Sequence, residues 1–305
     1  MLTLERPSYR PYRVRVTRTL RISQTFLRVT FTGDDLTTFG TDGLDQRVKV
    51  LFPSEGTGLS DLGGDDGDAD WYARWRALPN SRRNPMRTYT ARAVRPHDSE
   101  VDIDFVIHGL EGPAAVWLST VQVGDEVVIV GPDARSSRSA DGIDWHPGTA
   151  TQLLLAGDET AAPAICSILS SLPTGVTATA FIEVPRSADR LEVDGHPDVS
   201  LVWLDRGALP VGSMLDPAVR EWVAGNGVLV SRSLAAERQT LAEVDIDRET
   251  MWETTDDVSG DFYAWIAGES AVIKGIRRFL VSETGIDRRA VAFMGYWRLG
   301  RAELS

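Results

Sequence analysis

Apolar residues recur at every second position through much of the first half of the chain. Val14 and Val16 alternate with Arg13 and Arg15, and Leu27, Val29 and Phe31 with Arg28 and Thr30. Val101, Ile103, Phe105 and Ile107 alternate with Glu100, Asp102 and Asp104. A period of two predicts half-buried antiparallel strands, because successive strand side chains point to opposite faces. Residues 47–52, 87–95 and 127–130 are further strand segments, the last framed by Gly124-Asp125 and Gly131-Pro132. About six short strands divided by turn residues predict a small barrel. The one clear helical signal here begins at Pro113, a residue suited to a first helical turn, and runs through Trp117 to about Ser119.

The rhythm then changes. Residues 153–156 form a short apolar run, followed by Gly157 and a helical segment over 161–172. Strands are expected over 176–184, 199–204, 262–267 and 290–294, with helices over 218–223 and 270–282. In the last of these, Ile273, Ile276, Phe279 and Leu280 recur at helical spacing. Alternating strand and helix predicts a parallel sheet covered on both faces. The charged stretch 231–259 is expected to hold one helix around 234–241 and then a loop. Two polar stretches stand out, at 54–70 and 133–148. The second is the expected interdomain connection. The chain is therefore expected to be an α+β two-domain protein. An N-terminal antiparallel β-barrel (1–147) precedes a C-terminal α/β parallel-sheet nucleotide-binding domain (148–305).

Composition narrows the function. Apolar residues make up 42% and charged residues 25% of 305 residues, which is globular rather than disordered. With 32 basic and 44 acidic residues the net charge is −12. That argues against a nucleic-acid backbone or an anionic membrane as the main partner, since both attract cations, and leaves room for a local basic pocket. The single cysteine, Cys166, excludes an intramolecular disulfide framework and a cysteine-ligated iron–sulfur cluster. Residues 1–20 carry charge throughout with no secretory apolar core, and no run approaches the roughly 18 apolar residues that span a bilayer. A cytoplasmic monomer with no membrane insertion is expected. The aspartates of 54–70 lack EF-hand spacing and a closing glutamate, so no metal site is assigned.

Five segments carry candidate chemistry. In Arg87-Thr88-Tyr89-Thr90, Arg87 and Tyr89 share a strand face, where a guanidinium fork suits a diphosphate and an aromatic ring suits a planar ligand. An ordinary mixed strand is the competing reading. In the segment 108–117, His108 ends a strand, a glycine turn through Gly112 follows, and a helix starts at Pro113. The free amides near Ala114 and Ala115 can bind an anion. His108 and Trp117 are equally readable as structural. Ala156-Gly157-Asp158-Glu159-Thr160 joins a buried strand to a helix, the context of a dinucleotide turn, but without the G-x-G-x-x-G pattern. Asp158 and Glu159 suit sugar hydroxyls better than a phosphate, and Thr160 suits a helix cap or phosphate contact. Gly268 and Glu269 end another strand before a helix. Gly295-Tyr296-Trp297-Arg298-Leu299-Gly300-Arg301 follows the last strand, where Trp297 either reaches the cofactor or anchors the tail.

In this order the segments resemble the siderophore-interacting proteins, flavin-dependent ferric-siderophore reductases of the ferredoxin-reductase-like superfamily. Ala156–Thr160 within AGDETAAPAI and GYWRLG at 295–300 are the specific part, and 45–50 (DQRVKV) also looks like that family. The resemblance spans nearly the whole chain. It implies FAD in a ferredoxin-reductase-type barrel, with Arg87 on the pyrophosphate, Tyr89 against the flavin and Thr90 near its reactive edge. It implies phosphate held by the 112–115 turn, and NADH or NADPH around Asp158, Thr160, Gly268 and Glu269. It implies no catalytic acid or base. The family commonly has a serine where this chain has Ala115. A ferric siderophore is often anionic, so a local basic patch is expected, with Lys49, Arg298 and Arg301 as candidates. Arg186 and Arg190, just after the second nucleotide-domain strand, fit a 2′-phosphate or simply solvate a loop. Competing functions are a general NAD(P)H:flavin oxidoreductase, a reductase serving a separate iron–sulfur partner, and a non-catalytic siderophore-binding protein.

Overall fold

The computed structural model describes residues 6–63, 70–107, 112–246, 248–255, 258 and 260–301. The chain forms two compact units, Met1–Ile143 with Leu304–Ser305, and Asp144–Glu303.

The first unit is a closed antiparallel barrel of β1 (Tyr9–Arg21), β2 (Phe26–Thr32), β3 (Arg47–Leu51), β4 (Met86–Arg95), β5 (Glu100–Val106) and β6 (Glu126–Pro132), in the order β1-β2-β5-β4-β3-β6. β6 returns to β1, with Tyr12 opposite Ile129 and Val14 opposite Val127, so no edge is left open. The residues that alternate in the sequence fill the interior: Val14, Val16, Val29, Phe31, Val48, Val50, Ile103, Phe105, Val127 and Ile129. Their outward neighbours form a charge ladder. Arg28 binds Asp104 through two bonds of 2.6 and 2.8 Å. Arg95 binds Asp102 through two bonds of 2.8 Å, and Thr30 adds a third at 2.7 Å. Burial alone would raise the Asp102 pKa, but the Arg95 and Thr30 bonds hold it below its usual value.

One helix here has no sequence-level expectation behind it. α1 (Trp71–Ala77) follows the aspartate-rich stretch, and the Asp70 side chain caps it through the Ala73 amide at 3.0 Å. Trp75 packs with Leu51, Leu62, Val128 and Val130 as a second small core on the outer face of β3 and β6. Buried Asn84 closes this insertion, donating to Phe52 O at 3.0 Å and Gly58 O at 2.7 Å and accepting from Ser60 N at 2.8 Å. α2 (Pro113–Thr120) starts at the proline, as its sequence predicts.

The second unit is a six-stranded sheet in the order β10-β12-β11-β7-β8-β9. Its strands are β7 (Gln152–Gly157), β8 (Thr177–Val184), β9 (Val199–Asp205), β10 (Trp252–Glu253), β11 (Phe262–Glu269) and β12 (Val291–Trp297). Five are parallel. The short β10 is an antiparallel edge strand that the alternation of strand and helix does not announce. Helices α3 (Ala162–Ser170), α4 (Leu215–Gly225), α5 (Gly227–Arg232) and α6 (Ser270–Arg277) accompany the sheet. α6 continues into a π-helical turn over Arg278–Glu283. The apolar face of α4 and α6, with Val219, Val223, Ile273, Ile276 and Leu280, joins Leu154, Ala264, Ile266 and Phe293 in the core.

The expected helix at 234–241 is absent, and the segment is irregular apart from an isolated bridge at Leu234. Ala235 N donates to Gly285 O at 3.0 Å and Asp287 N to Ser233 O at 2.9 Å, while Leu234 bridges Ile286. Gln239 donates to Ile286 O at 2.7 Å and accepts from Arg288 N at 2.9 Å. These long-range bonds override the local helical spacing. Among the described residues no helix is long and apolar enough to cross a membrane, and no cluster of three or more ligating side chains is present.

Candidate functional site

In the first unit, Arg87 stands opposite Val50, and Tyr89 opposite Val48, on the β3–β4 ladder. Opposed residues share a face. Since Val48 and Val50 belong to the barrel core, Arg87 and Tyr89 lie on that face too. The Tyr89 ring meets Phe105 edge-on at 4.5 Å and Phe52 at 6.4 Å. Trp117 of α2 meets the same two rings at 6.3 and 5.4 Å. These shared aromatics bring the Arg87–Thr90 strand and the start of α2 together. Thr90, buried and opposite Arg47, occupies the other face of β4. So do Thr88 and Lys49, whose Nζ donates to Thr88 Oγ1 at 2.6 Å. Lys49 therefore faces away from Arg87 and Tyr89.

Gly112 introduces α2 with φ 94° and ψ 157°, a backbone region essentially restricted to glycine. Pro113 brings no N–H to the first turn, and the amides of Ala114 and Ala115 have no acceptor within the helix. His108 lies outside the described residues.

In the second unit the chain runs from β7 outward to β8 and β9, then crosses back to place β11 on the other side of β7. The crevice at such a reversal, beyond the carboxyl ends of the strands, is where open α/β sheets bind ligands. Asp158 follows β7 there, and Gly268 and Glu269 end β11.

Asp158 is 2% exposed, and all of its acceptor capacity is engaged. Its Oδ1 accepts from Thr160 N at 2.9 Å and Thr160 Oγ1 at 2.6 Å. Its Oδ2 accepts from Glu269 N and from Trp297 Nε1, both at 2.7 Å. Burial, and then the neighbouring Glu159 charge, push the Asp158 pKa up to about 6 against these bonds. Gly268 has φ 149°, and a β-carbon there would sit 2.6 Å from the Asp158 carboxylate. Glycine is thus required by conformation and by space. Glu269 turns back to cap α6: its Oε2 accepts from Ala271 N at 2.8 Å and Val272 N at 3.0 Å, and its Oε1 from Leu299 N at 3.2 Å. Both carboxylates read as sugar or cofactor contacts in the sequence therefore hold the crevice together from within. Trp297 lies at its rim, Tyr296 stacks on Trp252 at 5.6 Å, and Arg298 and Arg301 bracket the following turn.

Two residues that hold the crevice together escaped sequence reasoning. Arg206 binds Glu159 through two bonds of 2.6 Å and approaches Glu183 at 3.6 Å. Burial works against the guanidinium charge, and Glu159 outweighs it, holding the Arg206 pKa above its ordinary value. Glu183, fully buried, also accepts from Gly212 N at 2.7 Å, Met214 N at 2.8 Å and Leu215 N at 2.9 Å. The ends of β7, β8 and β9 are thereby locked to the start of α4. The available signal was a glutamate inside an otherwise apolar strand.

An antiparallel barrel followed by a mainly parallel nucleotide-type sheet defines the ferredoxin-reductase fold. A solved ferredoxin reductase of carbazole 1,9a-dioxygenase shares that fold with a TM-score of 0.58 at 12% identity, over 95% of this chain and 70% of its own. Residues 15–136 match the siderophore-interacting FAD-binding domain, and residues 150–300 match the siderophore-interacting protein family. An uncharacterized protein of Mycobacterium tuberculosis is 30% identical over 294 residues, 94% of this chain and 90% of its own length. The chain belongs to the siderophore-interacting family. The ferric vibriobactin reductase ViuB of Vibrio cholerae is 28% identical over 92% of this chain and 87% of its own. A siderophore utilization protein from T. fusca superposes with a TM-score of 0.71 at 27% identity, covering 99% of this chain and 97% of that one.

The donor set fits the FAD that this domain family binds. Arg87 and the first-turn amides of α2 supply cationic and neutral donors for a diphosphate, and half-buried Tyr89 supplies an aromatic face. Tyr89 and the α2 residue Trp117 both pack on the Phe52 and Phe105 rings, and Arg87 shares the β4 face of Tyr89.

Proposed function

We propose that the chain is an FAD-dependent ferric-siderophore reductase, drawing electrons from NADH or NADPH and delivering them to Fe(III) held by a siderophore. The observation that carries this reading is the coupling of a family-matched flavin barrel to a sheet whose switch-point crevice is built from Asp158, Thr160, Gly268, Glu269 and Trp297. A bound FAD would supply the link between two-electron donation by a nicotinamide and one-electron reduction of iron, whose Fe(II) form binds hard oxygen chelators less tightly.

The chain's own residues position and neutralise. Arg87 and the amides of Ala114 and Ala115 offset diphosphate charge, while Tyr89 borders the ring system and Thr90 stands behind it on the other face of β4. His108 is a further cofactor contact in this reading. In the second unit Asp158 and Glu269 keep Trp297 and the Gly268 turn in place, so that the crevice accepts the dinucleotide without rearranging. In this reading Lys49, on the barrel face opposite Arg87 and Tyr89, and separately Arg298 and Arg301 after β12 are the candidate cations for an anionic chelate in a protein of net charge −12. The reading takes the protein as a cytoplasmic monomer without nucleic-acid partners, the last supported by the acidic net charge.

An anaerobic assay tests it. FAD-loaded protein is mixed with NADH or NADPH, a ferric siderophore and an Fe(II)-specific chromophore. Fe(II) colour that requires all three components is the expected result. Nicotinamide oxidation without Fe(II) would instead mark a general flavin reductase. Siderophore binding without nicotinamide oxidation would mark a binding protein.

A further inference from the structure

The connection between β3 and β4 is far longer than its strands require. They are antiparallel neighbours, which a turn of a few residues could join, yet residues 52–85 lie between them. Connections of this length inside a compact domain are usually functional. The cofactor reading makes no use of this one.

At its centre charge and aromatic ring alternate in a stack. The Arg76 guanidinium lies over the Tyr72 ring at 5.9 Å. Tyr72 stacks on Trp75 at 5.6 Å with the planes 20° apart, and the Arg83 guanidinium lies over Trp75 at 5.4 Å. Trp75 is anchored from beneath, its Nε1 donating to Asn84 O at 2.9 Å. Arg83 Nη2 donates to Arg76 O at 2.5 Å and to Leu78 O at 2.9 Å, tying the turn after α1 back to the helix end. Arg76 and Arg82 are exposed and Arg83 is half-buried.

The charge of this platform is left open. Residues 71–97 contain no acid at all. Of the acids just before them, Asp61 accepts from Gly63 N and Asp70 from Ala73 N. Among the described residues Arg76, Arg82 and Arg83 form no ion pair. On the neighbouring barrel surface the cations are matched one by one, Arg28 with Asp104 and Arg95 with Asp102.

We propose that this platform docks an acidic segment of a partner protein, whose carboxylates bond Arg76 and Arg82 while its chain lies along Tyr72. A guanidinium fork matches a carboxylate bidentately, and Arg, Tyr and Trp are the residues that carry binding energy at protein interfaces. Stacking holds the rings and the cations in place beforehand, so less side-chain entropy is lost on docking. An anionic bilayer suits the platform less. Trp75 is 2% exposed, which leaves Tyr72 at 46% as the ring available to lipid. The net charge of −12 also opposes an anionic leaflet, whereas a short segment feels mainly the cations within a Debye length of about 8–10 Å.

The test titrates the FAD-loaded full chain with two labelled pentapeptides, EEFEE and its uncharged counterpart QQFQQ, followed by fluorescence anisotropy. EEFEE is expected to bind about three- to tenfold more tightly, the size of two solvent-exposed charge pairs, and to lose that advantage in high salt. In Arg76→Gln/Arg82→Gln the two peptides bind alike. Both positions are exposed, so the unfolding midpoint and the rate of siderophore reduction without peptide stay unchanged. Tyr72→Ala weakens both peptides, because the shared phenylalanine loses its ring contact. Equal affinity of the intact chain for the two peptides, or an unchanged EEFEE affinity in the double variant, overturns the proposal. Two other results overturn it in favour of a different occupant. One is sedimentation with phosphatidylglycerol vesicles that the double variant abolishes and EEFEE does not compete. The other is a raised KM for the ferric siderophore in the double variant.

Discussion

Trp297 Nε1 donates to Asp158 Oδ2 at 2.7 Å, across 139 residues of sequence. The bond ties the end of β12 to the loop after β7, with β11 between them, and Glu269 N reaches the same oxygen. One buried carboxylate thus sets the spacing of the three loops that border the crevice.

Trp297→Phe keeps the ring and deletes the donor. It is expected to cost about 1.5–3 kcal/mol, because a hydrogen bond to a buried charged group is lost. Denaturant unfolding measures this as a lower midpoint. The KM for the nicotinamide donor should rise more than kcat falls, since the loops lose their spacing while the reacting groups stay. An unchanged midpoint would mean that the bond is not formed in solution.

Asp158 predicts a specific pH dependence. Its folded pKa, about 6, exceeds the 3.8 of the free side chain, so folding binds a proton more tightly. Its contribution to stability is therefore fully present below about 4 and is lost as the pH rises through 6. In Asp158→Asn that component of the stability profile between pH 4 and 6.5 should vanish. Stability measured at half-unit intervals for both proteins resolves it. An identical pH profile in the variant would rule the assignment out.

Arg206→Ala would strand Glu159, which is fully buried. Breaking one partner out of a buried pair costs about 3–5 kcal/mol. The double variant Arg206→Ala/Glu159→Gln should recover part of that loss. A double-mutant cycle on unfolding free energies checks the coupling, and strict additivity would contradict it.

Gly112→Ala tests the turn before α2. With φ 94° and ψ 157°, an alanine there costs about 1–3 kcal/mol of strain or forces the turn to move. Flavin affinity, followed by fluorescence quenching, should weaken accordingly. Ala115→Ser goes the other way: one added hydroxyl donor at the first turn should tighten FAD binding about two- to tenfold. Equal affinity in the serine variant would place the phosphate elsewhere.

Much of this architecture was legible in the residues themselves. Alternation at Val14/Val16, Leu27/Val29/Phe31 and Val101/Ile103/Phe105 encodes two-faced strands directly, because side-chain direction in a strand is a local property. The apolar runs of β7 and β11, each followed by glycine and an acid, located the crevice for the same reason. The net charge of −12 and the lone Cys166 narrowed the chemistry without any fold. What each acid does there was decided only in three dimensions. Asp158 and Glu269 look like cofactor ligands in a motif, yet their oxygens meet Trp297, Leu299 and the start of α6. Glu183 is a strut because the amides of Gly212, Met214 and Leu215, beyond β9 in the chain, donate to it. The segment 234–241 is not helical because Ala235, Leu234 and Gln239 bond to residues 285–288. Periodicity records the faces of an element. Partners far apart in sequence leave no periodic trace, and burial by those partners determines whether a carboxylate is a ligand or a strut.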